Sequence, residues 1–305
     1  MSTTTIAFIG LGNMGGPMAA NLVKAGMTVH GFDVVDQART RAQERGIIIF
    51  DSAIDAAREA EIVITMLPNG TLARQVITDI LSDHAQSTAS DDALALFIDS
   101  STIAVSEARE IAELVQQAGY NFVDAPVSGG VTGSEAGTLA FMVGGSDAAF
   151  AQAESICAIM GRCVTHCGEV GNGQAVKACN NMILAVHQIV LAEALVLGER
   201  LGLAHQAFFD VVSNATGDSW ALSVNAPVPD VVPSSPANNE FKPGFATALM
   251  VKDLKLAMAA ATETGTDTVL GKIAAEQYEQ FMAADEDNSR RDFSAIIEQV
   301  RAITQ

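Results

Sequence analysis

The sequence predicts an α/β fold: a doubly wound parallel sheet followed by an all-α C-terminal domain, the two joined by a long interdomain helix. Three observations carry that expectation. Short β-branched runs alternate with amphipathic helical stretches from Thr5 to about Cys167, a glycine-rich turn links the first strand to the first helix, and beyond Gly168 the strand pattern vanishes. Strand and helix in alternation build a parallel sheet covered on both faces, because each parallel crossover needs a helix's worth of chain.

Taken in order, Ile6–Ile9, Thr28–Phe32, Ile62–Met66, Ala95–Ile98 and Phe122–Val123 are expected strands. Leu139–Val143 and Cys163–His166 add two more with a helix between them, which predicts a sheet grown beyond the minimal dinucleotide fold. Residues 174–201 form one long helical stretch rich in Ala and Leu. Its apolar part, Met182–Leu197, is interrupted by His187, Gln188 and Glu193, so it is expected to be a buried helix and not a membrane span. The remainder of the chain, to Gln305, reads as helical except Ala226–Pro243, which holds five of the eight prolines. Trp220, Phe241 and Phe245 around that segment favour a packed loop bordering a site over a floppy linker. The acidic run Asp285–Asp287 reads as a solvated loop between helices.

Composition narrows the class. With 305 residues, 49% of them hydrophobic, the chain can bury two ordinary cores without disulfides or metal. A formal charge of -19 disfavours nucleic acid and anionic membrane as partners, since both need clustered Lys and Arg to displace counterions. The cysteines at 157, 163, 167 and 179 lack the paired short spacings of a zinc site and read as reduced thiols. No basic segment precedes an apolar stretch at Met1–Ile6, so a cytoplasmic location is expected.

The first strand runs into Gly10-Leu11-Gly12-Asn13-Met14-Gly15, with a helical pattern directly after it. Of the three glycines, the first permits a tight turn, the second lets the backbone approach a pyrophosphate, and the third lets helix and strand pack closely. Asp33 closes the second strand, where a carboxylate accepts both ribose hydroxyls of an adenosine and repels a 2'-phosphate. No Arg follows in the turn Val34-Val35-Asp36, which favours NAD over NADP; as a plain turn former, Asp33 would carry no such meaning. This is the Rossmann-type fingerprint. Met66-Leu67-Pro68 and Asp99-Ser-Ser-Thr102 sit after later strands, at the carboxyl ends where ligands of such sheets bind, although Thr102 could serve only as a helix N-cap.

Two further segments carry chemistry. Ser128-Gly129-Gly130 exposes successive backbone N–H groups beside a hydroxyl, a shape suited to a small carboxylate, or else is a simple glycine-rich turn. In Gly171-Asn-Gly-Gln-Ala-Val-Lys177-Ala-Cys-Asn-Asn181, an ammonium and a carboxamide stand four residues apart on one helical face. A lysine at the mouth of a nicotinamide site can bind a substrate hydroxyl and take or relay its proton as hydride leaves the carbon. On its own the pair would read as solvated helix residues.

In order along the chain, Gly10–Met18, Asp124–Gly130 with Gly137-Thr-Leu and Met142–Gly145, Gly171–Asn181 and Lys252-Asp-Leu-Lys-Leu256 resemble the signatures of the β-hydroxyacid dehydrogenases, 3-hydroxyisobutyrate dehydrogenases among them. The resemblance spans nearly the whole chain, including Gly168–Gly171, Asn225–Pro229 and Asp292–Ser294. It implies an NAD-binding Rossmann domain over residues 1–167 and an all-helical substrate and oligomerisation domain over 168–305, with the active site in the cleft. It implies Lys177 as the catalytic residue, with Ser128, Gly129 and Gly130 on the substrate carboxylate and Asn181 orienting the substrate. Leu67, Pro68 and Thr102 would line the nicotinamide side, and Lys252 would reach the cofactor. The implied reaction is NAD-dependent oxidation of a short 3-hydroxy acid, 3-hydroxyisobutyrate giving methylmalonate semialdehyde in valine breakdown. The helical half holds more apolar helix than one domain this small covers, which predicts a homodimer or homotetramer.

The chain departs from that pattern at one place. Gly217-Asp-Ser-Trp220-Ala-Leu222 stands where many 3-hydroxyisobutyrate enzymes carry Gly-Arg-Cys-Trp-Ser-Ser, which leaves open relatives acting on tartronate semialdehyde, succinic semialdehyde or L-serine. A protein of another class, a nucleotide sensor that kept the fold and lost the chemistry, would have no reason to retain Lys177.

Overall fold

The computed structural model describes residues 4–86 and 94–303. The chain divides into two compact units, Met1–Lys177 and Ala178–Gln305. The first opens with β1 (Thr5–Ile9), α1 (Gly15–Lys24), β2 (Thr28–Phe32), α2 (Asp36–Glu44), β3 (Ile48–Ile49), α3 (Ala53–Ala57) and β4 (Ile62–Thr65). It continues through α4 (Gly70–Gln86), β5 (Leu96–Asp99), α5 (Val105–Gln117) and β6 (Asn121–Asp124). Next come β7 (Val127–Ser128), α6 (Gly130–Ala136), β8 (Leu139–Val143), α7 (Asp147–Met160) and β9 (Gly161–His166).

The first six strands pair in parallel in the order β3-β2-β1-β4-β5-β6, the Rossmann order, which reverses direction between β1 and β4. Alternate residues of β1 face opposite cores: Ile6 and Phe8 pack with Met18 and Leu22 of α1, while Ala7 and Ile9 pack in the cluster of Ile77 and Ile111 on the other face. Burial on both faces is why the central strands read as unbroken apolar runs. The sequence missed β3, which pairs only through Ile48 and Ile49 at the sheet edge and leaves Ile48 exposed.

The expected growth of the main sheet is corrected by the structure. The later strands form a separate sheet in the order β7-β8-β9, with β7 antiparallel to β8, and a single bridge between Asp124 and Gly144 links the two sheets. Pro126 breaks the ladder after β6 because it has no N–H to give, and its carbonyl accepts from Met142 N–H at 3.0 Å.

Helix α8 (Asn172–Arg200) starts in the first unit and runs on in the second. By length and composition it could cross a membrane, yet half of its most apolar stretch is buried inside the protein. The second unit adds α9 (His205–Val212), α10 (Trp220–Ser223), α11 (Thr247–Thr264), α12 (Val269–Ala284) and α13 (Ile297–Ile303) around a core that includes Leu195, Leu222, Leu254 and Tyr278. The acidic run at 285–287 is no plain loop, for the Asp285 side chain caps a 3-10 turn over Glu286–Arg290.

The proline-rich segment is packed, as expected. Asn238 ties it internally, donating to Val232 O at 2.8 Å and accepting from Asp230 N–H at 2.7 Å. Its end is held by buried Asp292, whose carboxylate accepts from the backbone of Gly244, Phe245 and Ser294, from the Ser294 hydroxyl, and from Asn225. Removing such a buried acceptor strands all of its donors. Asp292→Ala is therefore expected to lower unfolding stability by about 3–5 kcal/mol. Denaturant titration checks this, and a loss below about 1 kcal/mol would show the node to be dispensable.

Candidate active site

The glycine fingerprint folds for three distinct reasons. A Cβ on Gly10 would lie 2.3 Å from Met66 O, and one on Gly15 would lie 1.9 Å from Gly10 O, so both glycines are required by backbone packing. A Cβ on Gly12 would meet nothing within 4 Å. Gly12 and Asn13 are exposed, Leu11 is buried beneath them, and Met14 opens α1 with no side-chain cap on the helix N–H groups. Open space over an uncapped helix N-terminus fits a pyrophosphate, which would take those donors.

Asp33 lies at the carboxyl end of β2 with its carboxylate fixed by Leu11 N–H at 2.7 Å and Val35 N–H at 2.8 Å. An arginine does reach this end of the strand, from beyond the turn the sequence singled out: Arg39 donates to the Asp33 carbonyl at 2.8 Å and pairs with Asp36. Its charge is thus already engaged by a carboxylate. After β4, Leu67 is half-buried and Pro68 exposed, and Leu67 N–H donates to the Ser101 hydroxyl at 2.9 Å. Thr102 is half-buried, and it is not the cap of α5, a position held by Ala104.

Beyond β6 the chain makes the glycine-rich turn. Ser128 ends β7, opposite Ala140, and Gly129 and Gly130 follow with φ of 134° and 60°, conformations that only glycine adopts without strain. The helix they open, α6, is tied to the fingerprint: Ser134 Oγ donates to Met14 O at 2.7 Å and Asn21 Nδ2 donates to Ser134 O at 2.8 Å. Lys177 is 7% exposed, and its Nζ donates to the Val127 carbonyl at 2.9 Å, one residue before Ser128. The structure therefore brings the lysine and the Ser128–Gly130 turn together.

Lys177 can be there because of how α8 begins. Asp124, fully buried at the end of β6, accepts from Gly171 N–H at 2.7 Å and Gln174 N–H at 2.8 Å. Burial pushes its carboxyl up to about 6, and these two amides only partly offset that desolvation. Gly144 and Gly173 leave room for the arrangement, since a Cβ on either would fall within 3 Å of the Asp124 carboxylate. Sequence reading marked the segments holding Asp124 and Gln174 without assigning either residue a part.

In the second unit, Asn181 is buried, donates to the Asp253 carboxylate and accepts from Asn180 Nδ2 at 2.9 Å. Lys252 adjoins Asp253 on α11 and is half-buried. Asp253 is a third residue the sequence left without a part. In the divergent segment, Ala221 and Leu222 are buried in the core of this unit and Trp220 is 52% exposed, so the apolar pair replacing two serines serves packing. All four cysteines are free, and among the described residues no three His, Cys, Asp or Glu side chains gather as a metal site.

A Rossmann crevice with this fingerprint and a buried lysine against its glycine-rich turn defines a class, the NAD-dependent oxidoreductases. Comparison with known proteins narrows it. A family profile described as the NAD binding domain of 6-phosphogluconate dehydrogenase matches residues 5–168, and one described as NAD-binding of NADP-dependent 3-hydroxyisobutyrate dehydrogenase matches 171–300. The chain is 52% identical to a probable 3-hydroxyisobutyrate dehydrogenase of Mycobacterium tuberculosis, covering 98% of both chains. It is 44% identical to the Pseudomonas aeruginosa 3-hydroxyisobutyrate dehydrogenase, covering 96% of this chain and 97% of that one. A solved Mycobacterium tuberculosis 3-hydroxyisobutyrate dehydrogenase with L-serine superposes with a TM-score of 0.90 at 51% identity, over 98% of this chain and 100% of that one. The chain belongs to the 3-hydroxyisobutyrate dehydrogenase family.

Proposed function

We propose that the protein oxidises 3-hydroxyisobutyrate to methylmalonate semialdehyde with NAD, as a step of valine breakdown in the cytoplasm. The observation that carries this reading is the Lys177 amino group seated on the Val127 carbonyl beside Ser128. Residues 1–167 serve as the NAD-binding domain and 168–305 as the substrate and oligomerisation domain. Gly10–Gly15 and Asp33 hold the pyrophosphate and ribose, Leu67, Pro68 and Thr102 line the nicotinamide side, and Lys252 contributes to cofactor binding. Bound NAD supplies the hydride acceptor.

The chain's own residues do the rest. The Ser128 hydroxyl and the N–H groups of Gly129 and Gly130 grip the substrate carboxylate, which fixes the carbinol carbon at a set distance from the lysine. Asn181 holds the substrate hydroxyl in orientation. As a C3 hydrogen departs with its electron pair to the nicotinamide, Lys177, with its amine uncharged, takes or relays the hydroxyl proton, so that no alkoxide charge accumulates beside this buried side chain. The carbonyl of Val127 holds Nζ in place for that transfer.

The test is the initial rate of NAD reduction with each enantiomer of 3-hydroxyisobutyrate, beside L-serine, D-glycerate and 4-hydroxybutyrate. Fast, enantioselective turnover of the first supports the reading; preference for another acid moves the substrate and keeps the chemistry. L-serine is the second reading, favoured by its presence with the solved relative. Silence on the whole panel alongside tight NAD binding would instead support a nucleotide sensor.

Cofactor choice has its own test. Because Asp33 repels a 2'-phosphate while Arg39 stands beside it, Asp33→Ser is expected to move the ratio of kcat/KM for NADP over NAD upward by about tenfold or more. An unchanged ratio would remove Asp33 from the discrimination.

The partners are a small hydroxy acid and further copies of this chain, with no nucleic acid and no membrane. The charge of -19 argues against polyanions. Val176, Ile183, Val190 and Leu197 are exposed along α8, an apolar stripe that a homodimer or homotetramer would cover.

A further inference from the structure

We infer that Gln174 is a positioning residue for hydride transfer, one that locks the loop after β5 to the start of the helix carrying Lys177. The inference rests on the reading of Lys177 as the catalytic residue and of Thr102 as a lining of the nicotinamide side.

Gln174 is 2% exposed, and its amide is used at both ends on one loop. Nε2 donates to Ser101 O at 2.8 Å, and Oε1 accepts from Ile103 N–H at 3.2 Å. The two contacts bracket Thr102. The loop is held from its other side as well, for Ser101 Oγ accepts from Leu67 N–H, and Ser101 N–H donates to the Asp99 carboxylate at 3.1 Å. Gln174 is anchored in turn by its own N–H on Asp124, whose strand leads two residues later into Pro126 and then the Val127 carbonyl that takes the lysine. Leu67, the loop that carries Thr102, and Lys177 beside the Ser128 turn are thus tied into one hydrogen-bonded network, and Gln174 is the residue through which it passes from cofactor loop to helix.

Side-chain chemistry explains why glutamine suits the place. Ser101 O needs a donor and Ile103 N–H needs an acceptor, and only a neutral carboxamide offers both on one planar group at that length. A glutamate keeps the acceptor and turns its other oxygen on a carbonyl. A methionine keeps the length and serves neither. Hydride transfer is steep in distance, so a shift of about 1 Å in the loop relative to the lysine costs roughly a hundredfold in rate.

The experiment is single-turnover NADH formation by the full-length enzyme, with enzyme in excess over 3-hydroxyisobutyrate and NAD saturating, for the parent, Gln174→Met, Gln174→Glu and Lys177→Ala. With folded enzyme saturating the substrate, its rate constant does not depend on what fraction of the molecules is folded, and circular dichroism reports that fraction. The expected result is a rate constant lowered by about 10- to 100-fold in Gln174→Met and about tenfold in Gln174→Glu, with the NAD dissociation constant within about threefold of the parent. A parental rate constant with only a lower folded fraction or melting temperature would make Gln174 structural and overturn the inference. If Gln174→Met does not fold, Gln174→Glu decides by the same criterion. Lys177→Ala separates the two claims, because a fast Lys177→Ala sinks the catalytic reading, while a slow one beside parental Gln174 variants sinks only the positioning role.

Discussion

Lys177→Ala is expected to lower kcat by about a hundredfold to ten-thousandfold, the usual worth of a positioned acid or base, while NAD affinity stays within a few-fold of the parent. The lysine is buried and its Nζ is committed to the Val127 carbonyl, so its removal takes away the proton acceptor and leaves that carbonyl without this donor. Neither loss touches the Gly10–Gly15 turn. Lys177→Arg should not rescue the rate, because a guanidinium cannot be deprotonated and is too broad for a seat shaped around one amino group. Steady-state kinetics beside an NAD titration checks both statements. Turnover within tenfold of the parent in Lys177→Ala would show that the proton leaves by another route.

Gly12→Ala is expected to weaken NAD binding by about a hundredfold or more, close to 2.7 kcal/mol, without loss of fold. The reasoning lies in the contrast among the three glycines. The new methyl at Gly12 meets no protein atom within 4 Å, so the free enzyme tolerates it, and that empty space is where a pyrophosphate must approach the backbone. Gly15→Ala places its methyl 1.9 Å from Gly10 O and is expected to cost the fold itself. A melting curve with an NAD titration distinguishes the two variants. Parental NAD affinity in Gly12→Ala would mean that the dinucleotide does not cross this turn.

How much the sequence could reveal depends on the range over which each feature acts. Five of the six strands of the main sheet were legible because each is a largely buried run of four or five residues flanked by helical periodicity, and the Gly10–Gly15 turn because its residues are contiguous. The two-residue strands β3 and β7 were not, since two residues carry no period, and without β7 there was no sign that β8 and β9 leave the main sheet. The candidate site divides in the same way. Lys177 and Asn181 share a helix and declare themselves by spacing, and their placement in buried surroundings is what the structure adds. The pairings of Asp124 with Gln174, of Gln174 with Ser101, and of Asn181 with Asp253 span 50, 73 and 72 residues, and no local pattern encodes contacts of that reach. The return of Arg39 to Asp33 was hidden for a plainer reason, as it depends on how a helix turns back after the strand.

The seat of Asp124 also imposes an order on biosynthesis. Its carboxylate stands at the end of the last strand of the main sheet, but the two amides that receive it lie 47 and 50 residues further along the chain. A nascent polypeptide that has completed that sheet on the ribosome still holds this acid with neither of these partners. The stretch that supplies them emerges only after β7, β8 and β9, and the same stretch delivers Lys177. The acid receives its partners, and the fold its lysine, from one and the same segment of the chain.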